Sequence, residues 1–192
     1  MSTRILVIDG HPDPAGDRFG NALAEAYASA AAERGHEVRR LRVARMDVAF
    51  IRTRAEWEEG EPSEAIRAAQ ADAAWANHIV IFYPLWLGTL PALLKTFLEQ
   101  LFRPSFAFHR TGDRWQPALT GRSARLVVTM GMPSFVYRWY FRAHSVKSLE
   151  RNVLGFCGIR PVRESLIGLV EGSPERRRRW LGRMRELGRD AM

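Results

Sequence analysis

Short apolar runs alternate with stretches of helical spacing along the chain. Ile5–Asp9 is a compact apolar run of the kind a strand buried on both faces needs. Beyond it, Phe19, Leu23, Ala26, Tyr27 and Ala30 recur at the three- and four-residue intervals of one helix face. Gly35 closes that helix, and Glu37–Val43 alternates as a second strand with Val38, Leu41 and Val43 as its apolar members. A less regular stretch with Trp57, Gly60 and Pro62 follows, and Ser63 is placed as the N-cap of a helix running to Ala76. Ile79–Tyr83 reads as a third strand ended by Pro84. Pro91 suits the first turn of the next helix, which carries Leu93, Leu94, Phe97, Leu98 and Leu101. A loop with Pro104, Gly112 and Pro117 leads to a fourth strand, Arg125–Met130. An aromatic-rich segment, a helix over Ser145–Cys157, a fifth strand over Glu164–Val170 and a helix after Pro174 complete the chain.

Five strands alternating with helices predict an α/β three-layer sandwich, its parallel sheet covered on both faces. Right-handed crossovers leave few arrangements, and the strand order 2-1-3-4-5 fits five strands best. That order opens a ligand crevice at the carboxyl ends of the first and third strands. No repeat or interdomain linker interrupts residues 1–192, so a single domain is expected.

Composition narrows the function classes. The chain is 46% hydrophobic and 26% charged, ordinary for a globular protein, and no run approaches the roughly 20 apolar residues of a membrane span. The apolar run at the N-terminus is too short for a signal peptide, so a cytoplasmic protein is expected. Cys157 is the one cysteine, which leaves no internal disulfide and no cysteine zinc site; its neighbours Phe156 and Gly158 suit a small buried hydrophobe. The five histidines are scattered without a ligand pair, and no metal site is expected. The net charge of +8 favours anionic partners. Yet its arginines are dispersed and often accompanied by acids, no nucleic-acid motif is present, and Arg176–Arg179 reads as a solvated helix face.

Three loops border the predicted crevice. Gly10–Asn21 holds His11, two prolines, three glycines and Arg18, and ends at a helix start, whose free N–H groups and dipole favour a phosphate. Turn chemistry alone also accounts for its composition. The second loop, Pro84-Leu85-Trp86-Leu87-Gly88, places a Trp between Pro and Gly past a central strand. It could wall a planar ligand or simply pack over the sheet end. The third, from Thr129 through Gly131 and Met132, has a glycine where backbone could approach a ligand. Tyr137–His144 then forms an aromatic and basic cluster that a core or a subunit interface would also explain.

Together these segments resemble the flavodoxin-like NAD(P)H:quinone oxidoreductase family, which includes quinone reductases, modulator-of-drug-activity proteins and ancillary subunits of potassium-efflux systems. His11, Phe19 and Asn21 match its first signature with Gly20 inserted. Pro84, Trp86, Pro91, Ala92, Leu94, Lys95 and Phe102 match the second; Thr129, Gly131 and Tyr137 match the third. Leu85 stands where some members carry glutamine, and Met132 replaces a second glycine. The resemblance implies a flavin, FMN or FAD, and electrons from NADPH or NADH to a quinone-like acceptor. His11, Arg18, Phe19 and Asn21 would hold its phosphate end; Pro84, Leu85, Trp86, Leu87, Gly88, Thr129, Gly131 and Met132 would frame its ring. It implies Tyr137 as the charge-stabilising Tyr, His144 as its His within a one-residue slip, and a homodimer joined through aromatics such as Phe135–Phe141. The alternative is a regulatory subunit of a membrane transporter with little activity of its own.

Overall fold

The computed structural model describes residues 2–112 and 114–192. Its central parallel sheet is built from β1 (Arg4–Asp9), β2 (Glu37–Arg42), β3 (His78–Pro84), β6 (Ser123–Thr129) and β7 (Val162–Ile167), in the order β2-β1-β3-β6-β7. This is the predicted 2-1-3-4-5 arrangement. All seven residues of β3 are buried, as a central parallel strand covered on both faces requires. The alternating β2 lies at the sheet edge. Ile5, Leu6, Ile8, Ile79, Val80 and Ile81 are completely buried, each contributing about 2 kcal/mol relative to exposure.

Helix α1 (Phe19–Glu33) and α7 (Pro174–Arg189) cover one face of the sheet. The other carries α3 (Glu64–Trp75) and α4 (Ala92–Leu101), with the short α2 (Arg54–Glu58) beside them. Ser63 caps α3 as predicted, its hydroxyl accepting from the Ile66 N–H. Pro91 is the cap of α4 rather than a residue of its first turn, because its backbone is still extended (ψ 146°).

Several elements differ from the sequence reading, among them the fourth sheet strand, which runs Ser123–Thr129 rather than Arg125–Met130. The stretch read as a loop before the fourth sheet strand contains a hairpin, β4 (Phe108–Thr111) and β5 (Arg114–Pro117). Apart from Phe108 its residues are exposed, so no apolar alternation marked it. The aromatic segment contains a short helix, α5 (Ser134–Trp139), and the helix expected from Ser145 to Cys157 is α6 (His144–Ser148) continued by a π-helical stretch over Leu149–Leu154. The last strand begins two residues early, where Val162 pairs with Ala124. It ends before Gly168, whose neighbour Leu169 adopts a left-handed φ of 55°.

His78 gives the fold a pH response. Its Nδ1 bonds Ser123 Oγ at 2.8 Å, while burial first, then the Arg125 and Arg163 charges, push its pKa down from 6.5 to about 4. Between those values the unfolded chain takes up a proton that the folded chain refuses, so stability falls as pH falls. The expected loss is about 3 kcal/mol from pH 7 to pH 4 beyond the slope of a His78→Gln variant, read by urea titration at each pH.

Candidate functional site

The carboxyl ends of β1, β3 and β6 meet at the point where the strand order reverses, and three loops converge there. Asp9, the last residue of β1, organises the first of them. Its buried carboxylate accepts from the His11 N–H at 3.2 Å through Oδ1 and from Asn21 Nδ2 at 2.7 Å through Oδ2. Asn21 Oδ1 in turn accepts from the Arg18 N–H at 3.0 Å. The start of α1 is thereby tied to the end of β1. Sequence reasoning passed over Asp9; a carboxylate closing a fully apolar strand directly before Gly10 was the available signal.

Beyond that anchor, Asp13 donates its N–H to His11 Nδ1 at 3.1 Å. That nitrogen is therefore unprotonated, and the neutral ring carries its hydrogen on Nε2. Burial lowers the His11 pKa, against the opposing pull of Asp9 and Asp13. The Ala15 N–H and then the Arg18 guanidinium hold the Asp13 carboxyl below its usual range. Arg18 spends its charge on Asp13 (2.8 Å) and Asp17 (3.3 Å) at the surface. As cap residue of α1 it offers no acceptor, and the first turn holds no acid, so the N–H groups of the helix start remain uncapped. A Cβ placed on Gly20 would lie 3.9 Å from His11 Cδ2 and 4.0 Å from Thr129 Oγ1, so this helix start faces both neighbouring loops.

The second loop is a tight reversal. Trp86 and Thr89 exchange both backbone hydrogen bonds, at 2.8 and 3.0 Å, around Leu87 (φ 48°) and Gly88 (φ 79°). Such a turn directs the N–H groups of its two central residues outward, and among the described residues neither has a partner. A leucine held in the left-handed region is unusual and costs about 1 kcal/mol, which marks the turn as a place to look for function. Trp86 is half exposed and meets His11 edge to face at a centroid distance of 6.0 Å.

The third loop is fastened to the second by the Leu85 N–H, which donates to the Thr129 carbonyl at 2.7 Å. Pro84 is buried opposite Thr129 in the β3–β6 register. Gly131 has open space where a Cβ would point, and Met132 beside it is half-buried. Gly168 passes so close behind this loop that a Cβ there would sit 2.3 Å from Ser134 N and 2.6 Å from the Met132 carbonyl.

His11, Arg18, Asn21, Pro84, Leu85, Trp86, Leu87, Gly88, Thr129, Gly131 and Met132 are therefore gathered at one end of the sheet. Phe19 opens α1 at the same end, but its ring packs against the α1–α7 core with the Arg177 guanidinium 5.2 Å from its centroid. Tyr137 is 1% exposed, and its hydroxyl bonds Ser145 Oγ at 2.6 Å. His144 is exposed at the start of α6, with Nδ1 donating to the Phe141 carbonyl at 2.7 Å.

A loop-framed shelf at a topological switch point, backed by a sheet of this order, is characteristic of one fold, and the flavodoxin-like fold family model matches residues 3–186. The chain belongs to that family. Among curated relatives of this flavodoxin-like chain, the ribosyldihydronicotinamide dehydrogenase-like protein traD of Penicillium crustosum is 26% identical over 155 residues, covering 67% of this chain and 57% of that protein. This chain thus spans little more than half of the Penicillium protein's length. An uncharacterized NAD(P)H oxidoreductase of Haemophilus influenzae is 25% identical over 167 residues, with coverages of 85% and 82%. Among solved structures, the NAD(P)H:quinone oxidoreductase of Methanothermobacter marburgensis superposes with a TM-score of 0.83 at 21% identity, both chains fully covered. An FMN-dependent NADH-azoreductase of Bacillus anthracis, in complex with FMN, gives 0.78 at 18% identity over 100% of this chain and 99% of that one. At these identities the superpositions speak for the fold.

Proposed function

We propose that this protein binds a flavin, FMN or FAD, on the shelf between its three loops and oxidises NADH or NADPH, reducing a quinone-like acceptor. The observation that carries the reading is the pair of outward, unpartnered N–H groups of Leu87 and Gly88, beside the open face of Gly131 and opposite the uncapped start of α1. A flavin needs donors along the polar edge of its ring, a flat place for the ring, and cationic or dipolar partners for its phosphate; the shelf offers each. The names of the Methanothermobacter and Bacillus proteins describe this chemistry in chains of the same fold.

When bound, the flavin supplies the redox chemistry: it accepts a hydride from the nicotinamide and passes two electrons on. The chain's own residues bind and orient. Helix α1 would receive the phosphate end at its free N–H groups, with Arg18 adding charge once released from Asp13. Such exposed pairs are weak enough to yield. Leu87 and Gly88 would donate to the ring edge, and Trp86 and Met132 would border it. His144, exposed at the start of α6, would be the group that stabilises negative charge on the reduced flavin, the role the family resemblance implies for it. Tyr137 is a positioning residue, its hydroxyl holding Ser145, the neighbour of His144. The exposed aromatics Tyr140 and Phe141 suit a homodimer interface beside the acceptor site.

The test is the absorption spectrum after reconstitution with FMN and, separately, with FAD, followed by NADH or NADPH. Retained flavin with shifted bands, bleached by one nicotinamide and restored by a quinone, is the expected result. Flavin retained without turnover would favour the transporter-subunit reading. Retention of neither flavin would overturn the assignment of the shelf.

A further inference from the structure

A second cavity, on the α7 side of the sheet edge, holds a charge that the fold does not balance. It encloses about 400 Å³ and is lined by residues that include Arg125, Phe135, Arg138, Ser165, Trp180 and Arg183. Glu164 also lines it and is already paired with Arg138 at 2.7 Å. Arg183 pairs with Glu186 at 2.9 Å on the open surface of α7, where such a pair leaves most of its charge to solvent or ligand.

Arg125 is different. It is 7% exposed, and among the described residues no carboxylate pairs with it. One guanidinium nitrogen donates to Ser165 Oγ at 2.8 Å, and Nε is buried without any partner. Two of the other buried polar atoms without partners, Tyr27 Oη and His78 Nε2, belong to residues within its electrostatic reach. Neither supplies a negative charge at neutral pH: burial pushes the Tyr27 hydroxyl up, away from ionisation, and holds His78 neutral. Arg163 and Arg183 add further positive charge around Arg125.

A buried guanidinium left without an anion destabilises a fold, and a hydrophobic side chain of similar volume would serve packing better. Stability therefore does not account for Arg125, whereas a bound anion does. We propose that this cavity is a binding site for an organic oxyanion, a carboxylate or phosphate ester on an aromatic body, with Arg125 and Arg183 taking the head group and Trp180 and Phe135 the ring. Arg125 stands four residues before Thr129 on β6, about 13 Å along the strand, so the site is separate from the shelf. A planar fork of donors suits either head group, and the aromatic walls exclude a bare inorganic ion as the best occupant.

The probes are benzoate and phenyl phosphate, titrated into the full chain at ionic strength held constant with chloride, and read by tryptophan fluorescence and the thermal midpoint. Saturable binding of either probe is expected, and the tighter one names the head group. Arg125→Met should weaken binding about tenfold or more while unfolding at the same or a higher temperature without ligand. Arg183→Gln, at the solvent side, should weaken binding several-fold in a fold that stays intact, and Arg185→Gln, which removes the same charge elsewhere on α7, should not. Absence of saturation by both probes, or equal affinity in wild type and Arg183→Gln, would overturn the proposal.

Discussion

Asp9→Ala is expected to cost about 2–4 kcal/mol of folding stability and to weaken flavin binding about tenfold or more. The carboxylate has two donors to satisfy, the part-buried His11 N–H and the buried Asn21 Nδ2, and its removal leaves both without partners. It also unties the start of α1 from the end of β1, which the phosphate end of a flavin would need in fixed relation. A competing effect has the opposite sign. Removing a negative charge near a bound phosphate should by itself tighten binding. Positioning is expected to win, because one of the two hydrogen bonds is buried and the other part-buried, whereas a phosphate at the helix start would be open to solvent and screened. Urea titration gives the first quantity and quenching of flavin fluorescence the second. Tighter binding in Asp9→Ala would mean that repulsion governs the site.

The second large effect belongs to Gly168. Its absent side chain leaves the space in which the third loop runs, and the atoms that a Cβ would meet at 2.3 and 2.6 Å are backbone nitrogen and oxygen, which cannot swing aside. Gly168→Ala should therefore cost about 3 kcal/mol, a fall of roughly 6–12 °C in the thermal midpoint for a chain of this size. It should also displace Met132 and weaken flavin binding. Gly131→Ala is the matched control, since nothing lies within 4 Å of a Cβ there. It should leave the midpoint nearly unchanged while weakening flavin binding, because the added methyl enters the space assigned to the ring. If Gly131→Ala bound flavin as tightly as wild type, the ring would have to lie elsewhere.

These two positions were not equally visible in the sequence. Gly131 sits inside a recognisable signature, whereas Gly168 looks like any glycine after a strand. What makes Gly168 indispensable is the passage of Ser134, 34 residues earlier in the chain, and only the tertiary structure brings the two together.

By itself the sequence determined the strand order, the helical faces, the crevice at the switch point and the three loops that border it. Those features follow from local apolar periodicity and turn residues, whose energetics act over a few neighbours. It also singled out Tyr137 and His144, but not that one hydroxyl is buried against Ser145 while the other ring is exposed. The tertiary structure decided where Phe19 points and how Asp9 joins β1 to α1. It decided, too, that Arg125 lies buried in β6 with no carboxylate paired to it among the described residues. In the sequence that residue is one arginine among many. Its unbalanced charge matters only once β6, β7 and α7 have closed around it and left it 7% exposed.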